Sequence, residues 1–209
     1  RYKQNDDEYQ KRMENLLFQR ANIQKSAVEK LEALQNLLET LGNEAEKMLI
    51  FVSPDQLPKV MKLLYDLHIP AHKFTEQEGT QKCAKYDGLS EREYLVQHFK
   101  KGTYKALVAI SCLDEGIDIP IADKAILMAN STNPREYIQR IGRVIRQHES
   151  KQIAEIYDFI VAPDFKMLSN YPELYDFEQA IFEKEMLRVK AISGDALNSA
   201  DVLIKLSNY

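Results

Sequence analysis

Glycine, cysteine and histidine are sparse in this chain, and what they fail to form narrows its chemistry. Its seven glycines nowhere build the G-x-x-x-x-G-K-[S/T] loop that cradles phosphates, nor a G-x-G-x-x-G turn after a strand. The second absence sets aside a small-molecule enzyme of the doubly wound type. No acidic pair stands in an obvious place for Mg²⁺. The two cysteines, Cys83 and Cys112, form neither a disulfide framework nor a zinc spacing, and read as reduced thiols of an intracellular, cytoplasmic protein. His68, His72, His98 and His148 form no ligand set, so no metal site is expected. No run of about 18 apolar residues exists, so no membrane-spanning segment is expected. There is no basic stretch followed by an apolar core of the kind a signal peptide needs. With 28 Lys and Arg against 32 Asp and Glu, bulk attraction to nucleic acid is excluded, while a local basic track is not. Neither internal repeats nor low-complexity tracts occur.

What is present suits one α/β domain with helical additions: 209 residues and an ordinary hydrophobic fraction of 44%. Beginning at Arg1 rather than Met, the chain reads as part of a longer protein. Residues from about Asp6 to Leu41 read as helix. Leu31, Leu34, Leu38 and Leu41 recur every three or four residues, and Ile23 and Ala27 extend the stripe backward. Met48–Val52, Ala106–Ile110 and Lys124–Met128 are short apolar runs of the kind buried on both faces of a parallel sheet, and Ile153–Ile160 is a fourth strand. Ser53-Pro-Asp-Gln56, Ser90-Glu-Arg-Glu93 and Asn133-Pro-Arg-Glu136 each signal a helix start. The second of these helices turns Tyr94, Leu95, His98 and Phe99 inward. A further helix covers Tyr171 to Lys190, and Gln77 to Gly88 reads as a polar loop. Strands alternating with helices predict a parallel sheet with helices on both faces. The expected organisation is a leading helical segment over 1–45, an α/β lobe over 46–165, and a C-terminal helical extension over 166–209 packed on the lobe.

The chemistry concentrates after Asn133. At about 100° per residue, Gln139, Arg143 and Arg146 share a narrow arc of a helix, while Tyr137, Ile141, Val144 and Ile145 occupy the opposite side. Such a helix is held by its apolar face and presents two guanidiniums, which stay charged and offer bidentate donors to phosphate oxygens. Gly142 beside them permits close approach of another backbone. A second constellation, Ser111-Cys-Leu-Asp-Glu-Gly-Ile-Asp-Ile-Pro120, begins where the strand at 106–110 ends, and ligands of open parallel sheets bind beyond the carboxyl ends of strands. Gly116 allows a tight turn. Asp118 serves a ribose, a neighbouring arginine, or only its own turn. Ser111 offers a hydroxyl to phosphate. Lys100, Lys101 and Lys105 line either a phosphate track or a solvated surface.

These segments resemble the C-terminal RecA-like lobe of superfamily 2 DNA helicases and translocases. Met48 to Leu64 is similar to the family's motif IV, Ser111 to Pro120 to motif V in its E-G-x-D-x-P form, and Gln139 to Arg146 to motif VI, Q-R-x-G-R-x-x-R. His72-Lys-Phe-Thr75 resembles the f-T-g element, with Glu76 where glycine is usual. Gln rather than His at the head of motif VI favours the DNA-translocating branches, nearest to XPB-like helicases and type I and III restriction-enzyme motor subunits, over the DEAD-box RNA branch. The resemblance implies a RecA-like fold and a motor fuelled by ATP with Mg²⁺, both held mainly by a first RecA-like lobe of the same polypeptide. It implies Arg143 and Arg146 as arginine fingers and Gln139 as a relay to the first lobe. Gly116 and Asp118 would couple nucleotide to nucleic acid, and Ser111 and Thr75 would touch strand phosphates. DNA is the expected partner, with RNA second, and no activity is expected of this chain alone. The competing reading is a non-catalytic nucleic-acid- or protein-binding module derived from such a lobe.

Overall fold

The computed structural model describes residues 10–13, 15–16, 19–20, 22–23, 27–110, 119, 121–129, 142, 146, 148–149 and 151–207. The described residues divide into two compact units, one up to Phe159 and one from Ile160 onward.

The first unit is built on a five-stranded sheet of order β2-β3-β1-β4-β5, parallel at every pairing. Its strands are β1 (Met48–Phe51), β2 (Ala71–Phe74), β3 (Ala106–Ala109), β4 (Lys124–Leu127) and β5 (Glu155–Asp158). The three apolar runs become β1, β3 and β4, and every residue of those strands is buried. Side chains alternate across the pleat. Met48, Ile50, Ala106, Val108 and Ile126 therefore share one face, where they meet Leu34 and Leu38 of α1 (Glu29–Leu41) and Val60 and Leu64 of α2 (Leu57–Asp66). Leu49, Phe51, Leu107, Ala109, Ala125 and Leu127 point the other way and are just as fully shielded. Burial on both faces explains why these strands read as continuous apolar runs.

Strand β2 does not appear among the four strands that the apolar pattern predicts. It lies at the sheet edge, carries His72 and Lys73, and buries only Phe74 fully. A half-covered edge strand has no need of a continuous apolar run.

The predicted leading helix is interrupted: residues 10–13, 15–16, 19–20 and 22–23 are helical, residues 27–28 are not, and helix resumes in α1. α1 starts at Glu29, Ala27 and Val28 lie outside it, and Ile23 is 73% exposed. The apolar repeat thus continues in sequence beyond the surface available to bury it. α2 starts at Leu57, three residues after Pro54, because residues 54–56 form a turn. Gln56 nevertheless reaches back as its spacing implies, its Oε1 accepting from the Ser53 N–H at 3.1 Å. At the other end His68 adopts φ 56°. Its N–H donates to the Tyr65 carbonyl and that of Ile69 to Leu64, a Schellman closure made without glycine.

α3 (Glu91–Lys100) opens on the full capping box. Ser90 Oγ accepts from the Glu93 N–H at 3.2 Å, and Glu93 Oε2 accepts from the Ser90 N–H at 2.9 Å. Leu95 and Phe99 are buried and Tyr94 and His98 half-buried, as the spacing requires; Arg92 is buried as well.

The second unit contains α4 (Phe165–Leu168), α5 (Pro172–Ser193) and α6 (Ser199–Leu206). Asp164 caps α4 by accepting from the N–H groups of Lys166 and Met167. Phe165 packs edge-on against Tyr175 and Phe182 and so ties α4 to α5. No helix among the described residues is long and apolar enough to cross a membrane.

Candidate functional site at the carboxyl rim of the sheet

An all-parallel sheet sends every strand's carboxyl end to the same rim, and the segments leaving that rim form the ligand surface of open α/β folds. Here those segments begin at Val52, Thr75, Ile110, Met128 and Phe159. Five of the predicted site residues, Ser111, Gly116, Asp118, Gln139 and Arg143, lie outside the described residues, as does the predicted helix start at Asn133. Arg146 is described and exposed, between β4 and β5. Gly142 is helical and half-buried, and a Cβ built on it meets nothing within 4 Å. No described backbone therefore makes the close approach expected at Gly142.

Thr75 is the best-defined of the predicted residues. It follows β2 and is only 7% exposed. Its N–H and its hydroxyl both donate to one carboxylate oxygen of Glu78, the hydroxyl at 2.7 Å, and its Oγ accepts from the Gln77 N–H at 3.2 Å. Glu78 is itself 4% exposed, with Lys73 Nζ 3.9 Å from its second oxygen. Arg92, 8% exposed on the first turn of α3, spans the same loop. Its Nε donates to the Glu78 carbonyl at 3.1 Å and an Nη to the Thr75 carbonyl at 3.2 Å, and its guanidinium lies 6.0 Å from the Phe74 ring centre. A planar cation meeting two carbonyls and a ring face is well placed to remain buried.

A second carboxylate anchors the rest of the loop. Glu91 accepts from the Tyr86 hydroxyl at 2.7 Å and from the Gly79 N–H at 3.1 Å. The Tyr86 bond first, and the Gly79 bond after it, hold the Glu91 carboxyl below its usual range. The polar stretch 77–88 is thus pinned at both ends. Its interior contains one 3-10 turn, Ala84–Tyr86, followed by Asp87 at φ 54°.

Behind the rim, the Lys30 ammonium of α1 donates to the Met128 carbonyl just past β4 at 2.7 Å and is 7% exposed. Sequence reasoning missed Lys30, Glu78 and Arg92. For Glu78 a signal existed, since Thr75-Glu-Gln-Glu78 is a T-x-x-E pattern with half of a capping box realised and no helix behind it. For Lys30 and Arg92 no local signal existed. Among the described residues no three His, Cys, Asp or Glu side chains cluster as a metal site would require.

A five-stranded parallel sheet with helices on both faces and its connecting segments gathered at one rim defines a RecA-like lobe of the helicase type. The family described as "Helicase conserved C-terminal domain" matches residues 29–148, and the chain belongs to it. Relatives agree. The chain is 28% identical over 132 residues to the "DNA 3'-5' translocase XPB2" of Sulfurisphaera tokodaii, covering 63% of this chain and 27% of that protein. It is 33% identical over 119 residues to the "ATP-dependent DNA helicase mph1" of Aspergillus niger, covering 54% of this chain and 10% of that protein. The chain thus spans about a quarter or less of the curated relatives it matches. Two solved structures share the fold. The C-terminal part of the Fun30 ATPase domain aligns at TM-score 0.54 and 18% identity over 75% of this chain and 53% of that one. The C-terminal domain of the DEAD-box protein Dbp5 aligns at TM-score 0.51 and 24% identity over 70% of this chain and 78% of that one.

Proposed function

We propose that this chain is the second motor lobe of an ATP-dependent DNA helicase or translocase, inactive without a first RecA-like lobe in the same polypeptide. The family match over residues 29–148 carries this reading, because the match spans the Gln139–Arg146 segment and the parallel sheet is of the matching fold. The relatives' descriptions as DNA translocase and ATP-dependent DNA helicase support DNA as the track and ATP as the fuel. Residues 46–165 make the lobe, with helical segments over 1–45 and 166–209, and the protein acts inside the cell.

In this reading the first lobe holds ATP and Mg²⁺, and this chain supplies charge. Arg143 and Arg146 meet the γ-phosphate when the lobes close, at the moment negative charge spreads over its oxygens. The exposure of Arg146 suits a guanidinium whose phosphate arrives from outside the chain. Gln139 relays the closure, and Gly116 and Asp118 connect nucleotide to strand. Ser111 and Thr75 contact the strand's phosphates. Thr75 stands at the right rim for that contact, but its hydroxyl proton is held by Glu78, so an approaching phosphate must exchange that bond.

An arginine finger contributes on the order of 10³-fold or more to turnover. Arg143→Ala in the longer protein is expected to lower DNA-stimulated ATPase by about that factor while leaving circular dichroism and thermal midpoint unchanged. Turnover within about tenfold of wild type counts against the assignment.

A further inference from the structure

Outside motifs V and VI, one surface of the first unit combines rings and positive charge. Tyr94 and His98 on α3 have ring centres 3.9 Å apart, His98 and Tyr104 6.1 Å, and Tyr104 and His72 5.4 Å. These rings make one continuous row from the half-buried flank of α3, past the turn into β3, to the edge strand β2. Each is half-buried, so each keeps part of its surface in solvent. The row is also preset. His98 Nδ1–H donates to the Tyr94 carbonyl at 2.9 Å and His72 Nδ1–H to the Lys73 carbonyl at 2.7 Å, which fixes both imidazole planes before any ligand arrives.

The charge around the row differs from that of the chain. Between Glu93 and Asp114 there is no Asp or Glu, while Lys100, Lys101 and Lys105 fall in that interval. Lys100 and Lys101 are exposed, and Lys101 follows Tyr94 and His98 at helical spacing, on the same side of α3. Two carboxylates stand at the head of α3, Glu91 bonded to Tyr86 and Gly79 and within electrostatic reach of His72, Glu93 bonded to Ser90, so the cationic part of the surface is its Lys100–Lys105 end. In a chain with more acidic than basic residues, that end is a local cationic stretch beside a row of aromatic rings.

We propose that the Tyr94–His98–Tyr104–His72 row is an accessory binding site for single-stranded nucleic acid, with bases stacking on the rings and phosphates on Lys100, Lys101 and Lys105. Single strands expose base faces, and a positively charged track interleaved with aromatic rings is the arrangement that holds them without regard to sequence. A duplex hides its base faces within its own stack and gains nothing from the rings. A cationic peptide, which also stacks on aromatics, is repelled by the lysines. The proposal rests on the motor reading above and adds to it a hold on the separated strand that begins beside the His72–Thr75 element and is distinct from motifs V and VI.

Fluorescence anisotropy of a labelled oligothymidylate titrated with the 209-residue chain tests it. Tyr94→Leu and Tyr104→Leu are each expected to weaken binding by about tenfold, since stacking is worth roughly 1–3 kcal/mol per base. Tyr104→Phe, which retains a ring face, should bind like wild type. Replacing Lys100 and Lys101 by Gln should flatten the log–log salt dependence by roughly 0.7 for each phosphate no longer neutralised. A 4-thiothymidine oligonucleotide should crosslink to Tyr94, His98 or Tyr104 in the wild-type chain. Unchanged affinity in both Leu variants with intact circular dichroism, equal affinity for duplex, crosslinks confined to the motif segments, or no binding at low salt each overturn the site. None of those results touches the motor reading, which the ATPase of Arg143→Ala in the longer protein decides separately.

Discussion

Glu78 is a carboxylate almost without water contact in a loop that reads, residue by residue, as solvated. Its burial is tolerable because both oxygens are engaged: Thr75 supplies two donors to one, and Lys73 lies 3.9 Å from the other. Truncating it leaves the Thr75 N–H and hydroxyl in the same enclosed place without that acceptor, and each unsatisfied buried group costs about 1–3 kcal/mol. Glu78→Ala is therefore expected to destabilise the chain by on the order of 3 kcal/mol in urea denaturation, and Glu78→Gln, which keeps a carbonyl acceptor, by less. An alanine variant within about 0.5 kcal/mol of wild type would show that the loop is held some other way. Arg92 presents the same lesson from the donor side. Its partners are the carbonyls of Thr75 and Glu78, 17 and 14 residues earlier, so no window centred on α3 announces them. The guanidiniums of motif VI are the opposite case. Arg143 and Arg146 stand out in the sequence through spacing alone, since their proposed partner lies outside the chain.

At the scale of elements, α3 shows how far local rules reach. Its start was legible in Ser90-Glu-Arg-Glu93, and both halves of that box form. Ser90→Ala should cost about 1 kcal/mol at neutral pH. The pH dependence has a definite sign. The Ser90 backbone N–H first, and its hydroxyl second, hold the Glu93 carboxyl below the ordinary value of 4.5. A depressed folded-state pKa contributes stability that is present above the unfolded value and disappears as pH falls through the folded one. The wild-type advantage over Ser90→Ala should therefore shrink below about pH 4. Thermal melts of both chains at pH 7 and pH 3 check this, and a gap that widens on acidification would remove the carboxylate from the account. The strands divide along similar lines. β1, β3 and β4 are visible as apolar runs because both faces are covered. β2 was not visible, because an edge strand is covered on one side only and can carry His72 and Lys73. The leucine repeat of α1 meets the core at Leu31, Leu34, Leu38 and Leu41, while its backward extension fails at Ile23, since periodicity shows which face is apolar and not how much surface lies there to meet it.

At the scale of the whole molecule, the chain is a lobe without a phosphate loop. An ATPase needs that loop, and no G-x-x-x-x-G-K-[S/T] segment occurs in the sequence. The purified 209-residue chain is therefore expected to release no phosphate from ATP above background with Mg²⁺ and DNA present. Sustained, metal-dependent hydrolysis by it would overturn the half-site reading. The sequence by itself determined the family, the buried strands, the cap of α3 and the arginine spacing, because each is written in residues close together along the chain. The tertiary structure alone decided the order β2-β3-β1-β4-β5, the edge position of β2, the burial of Glu78 and Arg92, and the bond from Lys30 to Met128 across 98 positions. Those depend on which distant segments meet, and a buried charge is stable only where such a meeting supplies its partner.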